Sequence, residues 1–287
     1  MRYEAPDTLD AALGLLAEAG GEARVLAGGT DLLIQMRAGR RRPGLLVDLK
    51  GIAELRAITA DDGGWRVGAA VTCMELIEHE AFAATWPGVI DGVKLIGSVQ
   101  VKGRATMGGN LRNGSPAADS VPALIAAGAT VSIAGPKGSR ELPVEQVVTG
   151  PGKTSLAPDE IVVAFLLKRR APRSGDAYLR FTPRTEMDIA VVGAGVNLTL
   201  DASGVCRQAR VSLGAVAERA LLVSEAAAAL IGTSVNDAAL GRLADAASTA
   251  CRAIDDKRGT REYRTTVAGV LARRAAQTAL ERARRNG

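Results

Sequence analysis

The chain has 287 residues, of which 47% are apolar and 23% charged, with a formal net charge of +5 at pH 7. These values are typical of a globular protein of about two domains that buries a sizeable core without metals or disulfides. Aromatic residues make up only 3%, so single-stranded nucleic acid would find no row of stacking platforms, and we expect no nucleic-acid partner. Basic clusters such as "MRAGRRRP" (36–43) are interpreted as solvated segments or docking surfaces for acidic partners.

The counts of cysteine and histidine exclude several kinds of active site. Cys73, Cys206 and Cys251 form no CxxC pair, so this chain alone cannot build an iron–sulfur cluster or a zinc ribbon. The single histidine, His79, lies in an acidic helical stretch and is expected at the surface. We therefore predict no catalytic residue and no metal ligand here. No apolar run approaches the ~18 residues of a membrane span, and no signal peptide is evident, so we expect a cytoplasmic protein.

In chain order, residues 1–54 predict a small α/β unit. A helix opens near Thr8, and a strand ("ARVLAG"), a helix ("DLLIQMRAG") and a strand ("GLLVDL") follow it. The pattern of predicted elements changes at Leu55. Residues 55–170 predict two strands around a glycine turn, a helix in "CMELIEHEAFAATW", and a helix with an extended tail in "GVIDGVKLIGSVQVKGRAT". A second Gly-Gly turn, a helix near "DSVPALIAAG" and two more strands complete this region.

Residues 171–287 predict a third domain, which begins with a linker in "APRSGD". Three strands follow and suggest an antiparallel sheet, and three alanine-rich helices occupy the remainder. The expected domains are therefore 1–54, 55–170 and 171–287.

Two glycine-rich stretches fail as phosphate-binding motifs. "GPGKT" (150–154) resembles the end of a Walker A loop, but Val147 stands where the motif needs its first glycine. "VVGAGVNL" has two glycines of a dinucleotide fingerprint, but Leu198 replaces the third and a strand-like alternation follows where a helix is required. We expect a surface loop at the first stretch and close packing within a sheet at the second.

Two other stretches pass the same test. "AGGTD" lies between a strand and an amphipathic helix, and its glycines would let the backbone approach an anionic ligand closely. Thr30 and Asp31 are suitable helix caps, and Asp31 should cap backbone, since a carboxylate facing a phosphate is unfavourable. "TMGGN" offers similar chemistry, and Ser115 and Asp119 beyond it could reach a sugar hydroxyl. Ligand-free turns are the alternative, but two such turns favour a pyrophosphate held from two sides.

With "AGGTD" and "ATMGGNLRNGSPAADSVPAL", the chain resembles the FAD-binding subunit of molybdenum hydroxylases of the xanthine dehydrogenase and carbon monoxide dehydrogenase type. The resemblance spans nearly the whole chain and includes "IGSVQVKGRATMGGN", "GPGKTSL", "AYLRFTPRTEMDIAVVG" and "VSLGAVAERALLVSEAAAALIG". It implies an α+β fold, in which a two-subdomain, PCMH-type FAD-binding module precedes a C-terminal domain with a small antiparallel sheet and helices.

The resemblance also implies the cofactor-binding residues. Both glycine segments would clamp the pyrophosphate of FAD. Asp119 would reach the ribose or ribityl hydroxyls, Tyr178 would lie against the isoalloxazine or simply pack within a strand, and Arg180 would place positive charge near the flavin. The role of Asp188 stays open. The full expected set is Ala27, Gly28, Gly29, Thr30, Asp31, Thr106, Gly108, Gly109, Asn110, Ser115, Asp119, Tyr178 and Arg180.

The implied function is electron transfer within a heteromeric molybdenum hydroxylase. A large partner subunit would hold the molybdenum cofactor and a small one the 2Fe-2S clusters, in a dimer of heterotrimers. Electrons would pass through FAD to an external acceptor, which could be NAD, a quinone, a carrier protein or oxygen. Two alternatives are a self-standing flavin oxidoreductase with the same FAD domain and a non-catalytic scaffold in which the glycine turns are only turns.

Overall fold

A computed structural model describes residues 1–185 and 187–287, which form three main β-sheets and one small two-stranded sheet. The N-terminal sheet is parallel, with strand order β1-β3-β2. Thr8 caps the first helix, because its Oγ1 accepts a hydrogen bond from the Ala11 amide at 3.2 Å. The elements are β1 (Arg2–Glu4), α1 (Leu9–Glu18), β2 (Ala23–Leu26), α2 (Leu32–Arg37) and β3 (Leu45–Asp48). The predicted β-α-β unit is thus present.

The second sheet is antiparallel and has the order β4-β5-β10-β6-β7. Its strands are β4 (Ile58–Asp61), β5 (Gly64–Gly68), β6 (Thr130–Gly135), β7 (Gly138–Pro143) and, after the hairpin β8 (Val148–Gly150) and β9 (Lys153–Thr154), β10 (Ile161–Lys168). The helices are α3 (Cys73–Glu78), α4 (Glu80–Thr85), α5 (Pro87–Lys94), α6 (Val99–Lys102), α7 (Met107–Asn113) and α8 (Ser120–Ala127), with 3-10 turns at Ala53–Leu55 and Val144–Gln146. Every residue of α8 is buried.

Three local expectations for this region were wrong. The tail at residues 99–102 is helical, since Ser98 caps the short helix α6. The second Gly-Gly pair is not a turn, because Gly108 and Gly109 lie in the first turn of α7. His79 is half-buried, where its Nδ1 caps α4 by accepting from the Phe82 amide at 3.2 Å.

The third sheet is antiparallel, as predicted, with the order β11-β12-β13-β14. Its elements are β11 (Ser174–Phe181), β12 (Val192–Leu200), β13 (Cys206–Gly214) and β14 (Leu221–Leu222), followed by α9 (Ser224–Ala228), α10 (Asp237–Ala250) and α11 (Arg261–Arg285). "VVGAGVNL" lies in β12, where a Cβ on Gly193 would come within 2.2 Å of the Tyr178 hydroxyl. The predicted linker "APRSGD" is shorter than expected, because its last three residues, 174–176, already belong to β11.

The buried apolar residues form two clusters. One runs continuously through the first and second sheets and includes Leu16, Val47, Phe82 and Phe165. The other fills the space between the third sheet and the alanine-rich helices. Domain boundaries at 54/55 and 170/171 stay a prediction, and the shared first core shows that residues 1–54 and 55–170 pack as one hydrophobic unit.

The contact of α11 with β11 depends on the glycine at position 175. A Cβ on Gly175 would lie 2.0 Å from the Ala279 carbonyl oxygen and 2.4 Å from the Ala283 amide nitrogen. These are backbone atoms of a long helix, which cannot move away locally. The alanines on that face of α11 therefore reach the sheet closely only because residue 175 is glycine.

We predict that Gly175→Ala lowers the free energy of unfolding by about 3 kcal/mol or more, at the upper end of overpacking costs. Urea denaturation followed by circular dichroism measures this. Gly241→Ala is the matched control, since a Cβ there meets nothing within 4 Å and a helix interior favours alanine. Equal stabilities of the two variants would contradict this interpretation of the contact.

Candidate functional site

A cavity of about 350 Å³ lies between the N-terminal sheet and the second region. Its walls come from the turn after β2, from α7, and from the start of β10. The structure thereby brings together both glycine segments, which are 77 residues apart in the chain when counted from Gly29 to Thr106. The expected site residues that line the cavity are Ala27, Gly28, Gly29, Thr30, Asp31, Thr106, Gly108, Gly109 and Asn110.

The first wall is a turn that requires glycine at two positions for different reasons. Gly29 has a φ of +76°, a backbone conformation that residues with a side chain rarely adopt. A Cβ on Gly28 would lie 2.0 Å from the Arg104 carbonyl oxygen, so this turn packs directly on the segment that leads into α7. The contact between the two glycine segments is therefore made by backbone, without an intervening side chain.

The second wall is the first turn of α7. Thr106 caps this helix, and its Oγ1 accepts a hydrogen bond from the Gly109 amide at 2.9 Å. A Cβ on Gly108 would come within 2.5 Å of the Ala69 carbonyl oxygen, so this glycine is needed for packing. A Cβ on Gly109 would meet only Thr106 Oγ1, at 3.2 Å. Gly109 therefore leaves open space that belongs to the cavity.

The two walls supply hydrogen-bond donors suited to an anion. Within the described residues, the amides of Gly28, Gly29 and Thr30 donate no backbone hydrogen bond. The Gly108 amide lacks an intrahelical acceptor because it lies in the first turn of α7. Successive free amides of this kind form a concavity that binds phosphate groups, at roughly 1.5–3 kcal/mol for each charge-assisted bond. This cradle fits a pyrophosphate.

Asp31 does not behave as expected. It stands at the N-cap position of α2, but its side chain makes no capping hydrogen bond and it lines the cavity. Its backbone is helical at this position, with φ −100° and ψ −49°, whereas a capping side chain needs an extended backbone. The Asp31 carboxylate is therefore an unfavourable group for any phosphate that comes close to it.

Sequence reasoning missed several lining residues. Arg24, Arg41 and Arg112 lie at the cavity, and Gln35 donates a hydrogen bond to Asn113 Oδ1 at 3.0 Å, which joins α2 to α7. Gly152 of the "GPGKT" hairpin also lines the cavity. Proximity to the glycine segments was the available signal, since Arg24 precedes the first by a few residues and Arg112 follows the second closely.

Ser115, Asp119, Tyr178 and Arg180 do not line this cavity. The last three form a buried cluster in which Asp119 accepts hydrogen bonds from the Tyr178 hydroxyl at 3.0 Å and from Arg180 Nη1 at 2.7 Å. Burial raises the pKa of Asp119 to about 6, and the two partners limit the rise. Burial also raises the pKa of Tyr178 well above its ordinary value. Contact of these residues with a flavin stays a prediction.

The cluster nevertheless lies close behind one wall. Arg180 Nη1 also donates to the Leu95 carbonyl at 3.0 Å, and the next residue, Ile96, lines the cavity. Asp188 lies in the loop after β11 and forms ion pairs with Arg184 at 3.4 Å and with Arg258 at 3.7 Å. Ser115 closes a local turn, accepting from the Ala117 amide at 3.3 Å.

Across residues 1–185 and 187–287, no group of three or more His, Cys, Asp or Glu side chains could hold a metal ion. Within the same residues, no helix is long and apolar enough to cross a membrane. Cys73 is buried at the start of α3, and burial raises its pKa to about 12, so its thiol stays protonated.

A cavity with two walls and a cradle of free amides is typical of proteins that bind phosphorylated ligands, and the comparisons give the family of this chain. Residues 1–167 match the FAD binding domain in molybdopterin dehydrogenase, and residues 177–279 match the CO dehydrogenase flavoprotein C-terminal domain. The chain belongs to the family of FAD-binding subunits of molybdenum-dependent dehydrogenases. It is an oxidoreductase subunit whose cofactor is FAD, and in these complexes molybdenum and iron–sulfur centres belong to other subunits.

Similar proteins cover nearly the whole chain. The carbon monoxide dehydrogenase medium chain of Afipia carboxidovorans is 34% identical over 98% of this chain and 97% of its own length. The xanthine dehydrogenase FAD-binding subunit of Escherichia coli O157:H7 is 37% identical over 75% of this chain and 74% of its own. A carbon monoxide dehydrogenase structure from Hydrogenophaga pseudoflava has a TM-score of 0.94 at 33% identity, covering 98% of both chains. The predicted α+β fold and family are confirmed.

We predict that Arg180→Met lowers stability in a pH-dependent way. Without Arg180 the buried Asp119 carboxylate is uncompensated, so its pKa rises further above the unfolded value. The variant should therefore keep its stability at low pH and lose it as pH rises. Its loss relative to wild type should grow above pH 6, by at most about 1.4 kcal/mol per pH unit, to about 2–3 kcal/mol at pH 8.

Urea denaturation at pH 5 and pH 8 measures this effect. The double variant Asp119→Asn/Arg180→Met is the control, because it removes the titrating group and should show little pH dependence. A loss of stability in Arg180→Met that is the same at both pH values would contradict the assignment of Arg180 as the counter-ion of Asp119.

Proposed function

We propose that this chain is the FAD-carrying electron-transfer subunit of a heteromeric molybdenum hydroxylase. Electrons from iron–sulfur clusters in a partner subunit would pass through its FAD to an external acceptor. The observation that carries this proposal is the cavity formed where two distant glycine segments meet through backbone contact. FAD, when bound, supplies the redox chemistry, while the protein supplies binding, orientation and electrostatics.

The cavity residues would divide the task of holding FAD. The amides of Gly28, Gly29, Thr30 and Gly108 would bind the pyrophosphate. Asn110 keeps its amide nitrogen for the ligand, since its Oδ1 accepts a hydrogen bond from Ser120 at 2.7 Å. Apolar side chains such as Leu49, Ile96 and Leu156 would exclude water from the ring system.

The cluster of Asp119, Tyr178 and Arg180 would act on the flavin end of the cavity. Its support is the hydrogen bond from Arg180 to the Leu95 carbonyl, beside the lining residue Ile96. From there the guanidinium would contribute positive potential toward the flavin, moderated by Asp119 at 2.7 Å. In this arrangement Tyr178 would position Asp119 through its hydroxyl.

The partners would be a large molybdenum-cofactor subunit and a small 2Fe-2S subunit, assembled as a dimer of heterotrimers. The similarity to a carbon monoxide dehydrogenase medium chain over nearly its whole length supports a place between two such partners. The proposed domains are 1–54, 55–170 and 171–287. A cytoplasmic location stays a prediction from the sequence.

We predict that Gly109→Val lowers the flavin content of the purified protein at least tenfold while the chain stays folded. The new side chain would project into the cavity, and the backbone around Gly109 leaves room for its Cβ apart from Thr106 Oγ1 at 3.2 Å. Flavin content is measured by absorbance after denaturation and identified as FAD by chromatography.

Gly14→Val is the matched control, because Gly14 is also helical and a Cβ there meets nothing within 4 Å. Circular dichroism and thermal melting establish that both variants fold. Full FAD occupancy in Gly109→Val would contradict the proposed position of the cofactor. Co-purification with molybdenum and iron–sulfur subunits supports the heteromeric function, whereas a lone flavin-dependent activity would support a self-standing oxidoreductase.

A further inference from the structure

Three arginines from separate elements converge on the same cavity. Arg24 lies on β2, Arg41 follows α2, and Arg112 lies on α7, and all three line the space. Arg24 donates to the carbonyl oxygens of Gly21 and Ala23. Within the described residues, none of the three has a carboxylate within 4 Å of its guanidinium (compare the ion pairs of Arg140 and Arg210). The cavity therefore contains positive charge that the described protein residues do not neutralise by direct ion pairs.

Arg112 is placed to reach a ligand at the amide cradle. Residues three apart on a helix share a face, so Arg112 lies on the face of α7 that carries Gly109, about 4.5 Å further along the axis. Helical side chains also incline toward the N-terminus of their helix. This direction would carry the Arg112 side chain toward Gly108 and Gly109, and Arg112 lines the same cavity as both glycines.

The carboxylates of the cavity do not cancel this charge. Glu160 is occupied by Arg140 at 2.9 Å and by the Ala157 amide at 2.9 Å. Asp31 has no basic group within 4 Å among the described residues. Burial lowers the pKa of Arg112, and the charges of Arg24 and Arg41 lower it further. The three arginines therefore repel one another, and a bound anion would relieve this repulsion.

We propose that Arg24, Arg41 and Arg112 form a phosphate subsite that binds the diphosphate of the ADP half of FAD. This inference rests on the proposed function and adds charged side chains to a cradle otherwise made of backbone amides. Planar guanidinium groups suit the task, because each can donate two parallel hydrogen bonds to phosphate oxygens. The subsite would make the binding of the nucleotide half depend on charge, and leave the binding of the flavin ring to the apolar walls.

The test compares three probes on the full-length chain freed of flavin: FAD, ADP and riboflavin. Affinities are measured by calorimetry for ADP and by flavin fluorescence for the other two, at two salt concentrations. Arg112→Gln should weaken FAD and ADP at least tenfold and leave riboflavin within twofold. It should also reduce the salt dependence of FAD binding, since one phosphate contact is lost.

Arg274→Gln is the control of equal charge change. Arg274 is exposed on α11, a helix that packs on the third sheet and contributes no residue to the cavity lining. The Arg274→Gln variant should therefore bind all three probes with unchanged affinity. Arg112→Lys keeps the charge but not the two-pronged geometry, so its affinity for FAD should fall between wild type and Arg112→Gln. Circular dichroism shows whether each variant folds, and Arg41→Gln provides a second test from an exposed loop position.

The outcomes separate this inference from the proposed function. If Gly109→Val loses FAD while Arg112→Gln and Arg41→Gln keep FAD and ADP affinities within twofold, the cofactor lies in the cavity and the arginine subsite is wrong. If Gly109→Val and the arginine variants all keep full FAD affinity, the cavity itself is not the cofactor site. Dependence of ADP binding but not FAD binding on Arg112 would mean a separate nucleotide site and would also overturn the proposal.

Discussion

Two backbone segments approach each other closely at Gly28, and this contact determines the geometry of the site. Because Gly28 has no side chain, the turn after β2 rests on the carbonyl of Arg104, two residues before Thr106. This contact fixes the N-terminal sheet against the first turn of α7 and so sets the width of the cavity. The shared hydrophobic core beneath it holds both regions as one unit, so the two walls cannot separate without exposing apolar surface.

Charge is distributed unequally around this framework. Behind one wall, Asp119 and Arg180 neutralise each other in a buried pair that also ties the start of α8 to β11. At the cavity itself, three arginines remain without carboxylate partners among the described residues. A buried pair of this kind costs desolvation energy and adds specificity of packing, whereas unpaired guanidinium groups at a cavity gain most from a ligand that brings the missing negative charge. The charges that stabilise the fold thus lie behind the cavity wall, and the charges available to a ligand lie at the cavity itself.

The C-terminal region serves the site from a distance. Its sheet is covered by α11, whose small side chains allow contact with β11 at Gly175, and Arg282 of that helix donates to Asp91 on α5 at 2.6 Å. Asp91 in turn accepts a hydrogen bond from the Tyr178 amide at 3.2 Å. The strand that carries Tyr178 and Arg180 is therefore joined through Asp91 to α5 and to α11, which holds the buried cluster in place behind the cavity wall at Ile96.

The amino-acid sequence was sufficient to predict the family, the α+β fold and the residues of both glycine segments. Local patterns were sufficient there, because strand alternation, glycine turns and helix caps are short-range properties. They were insufficient for Gly108 and Gly109, where the Thr106 cap converts an apparent turn into a helix, and for Asp31, whose backbone conformation prevents capping. The three-dimensional fold was needed to show that Tyr178 and Asp119 are buried together and that three arginines, up to 88 residues apart (Arg24 to Arg112), line one cavity. Contacts between residues so far apart in sequence depend on how sheets and helices pack against one another, and no short-range sequence pattern contains that information.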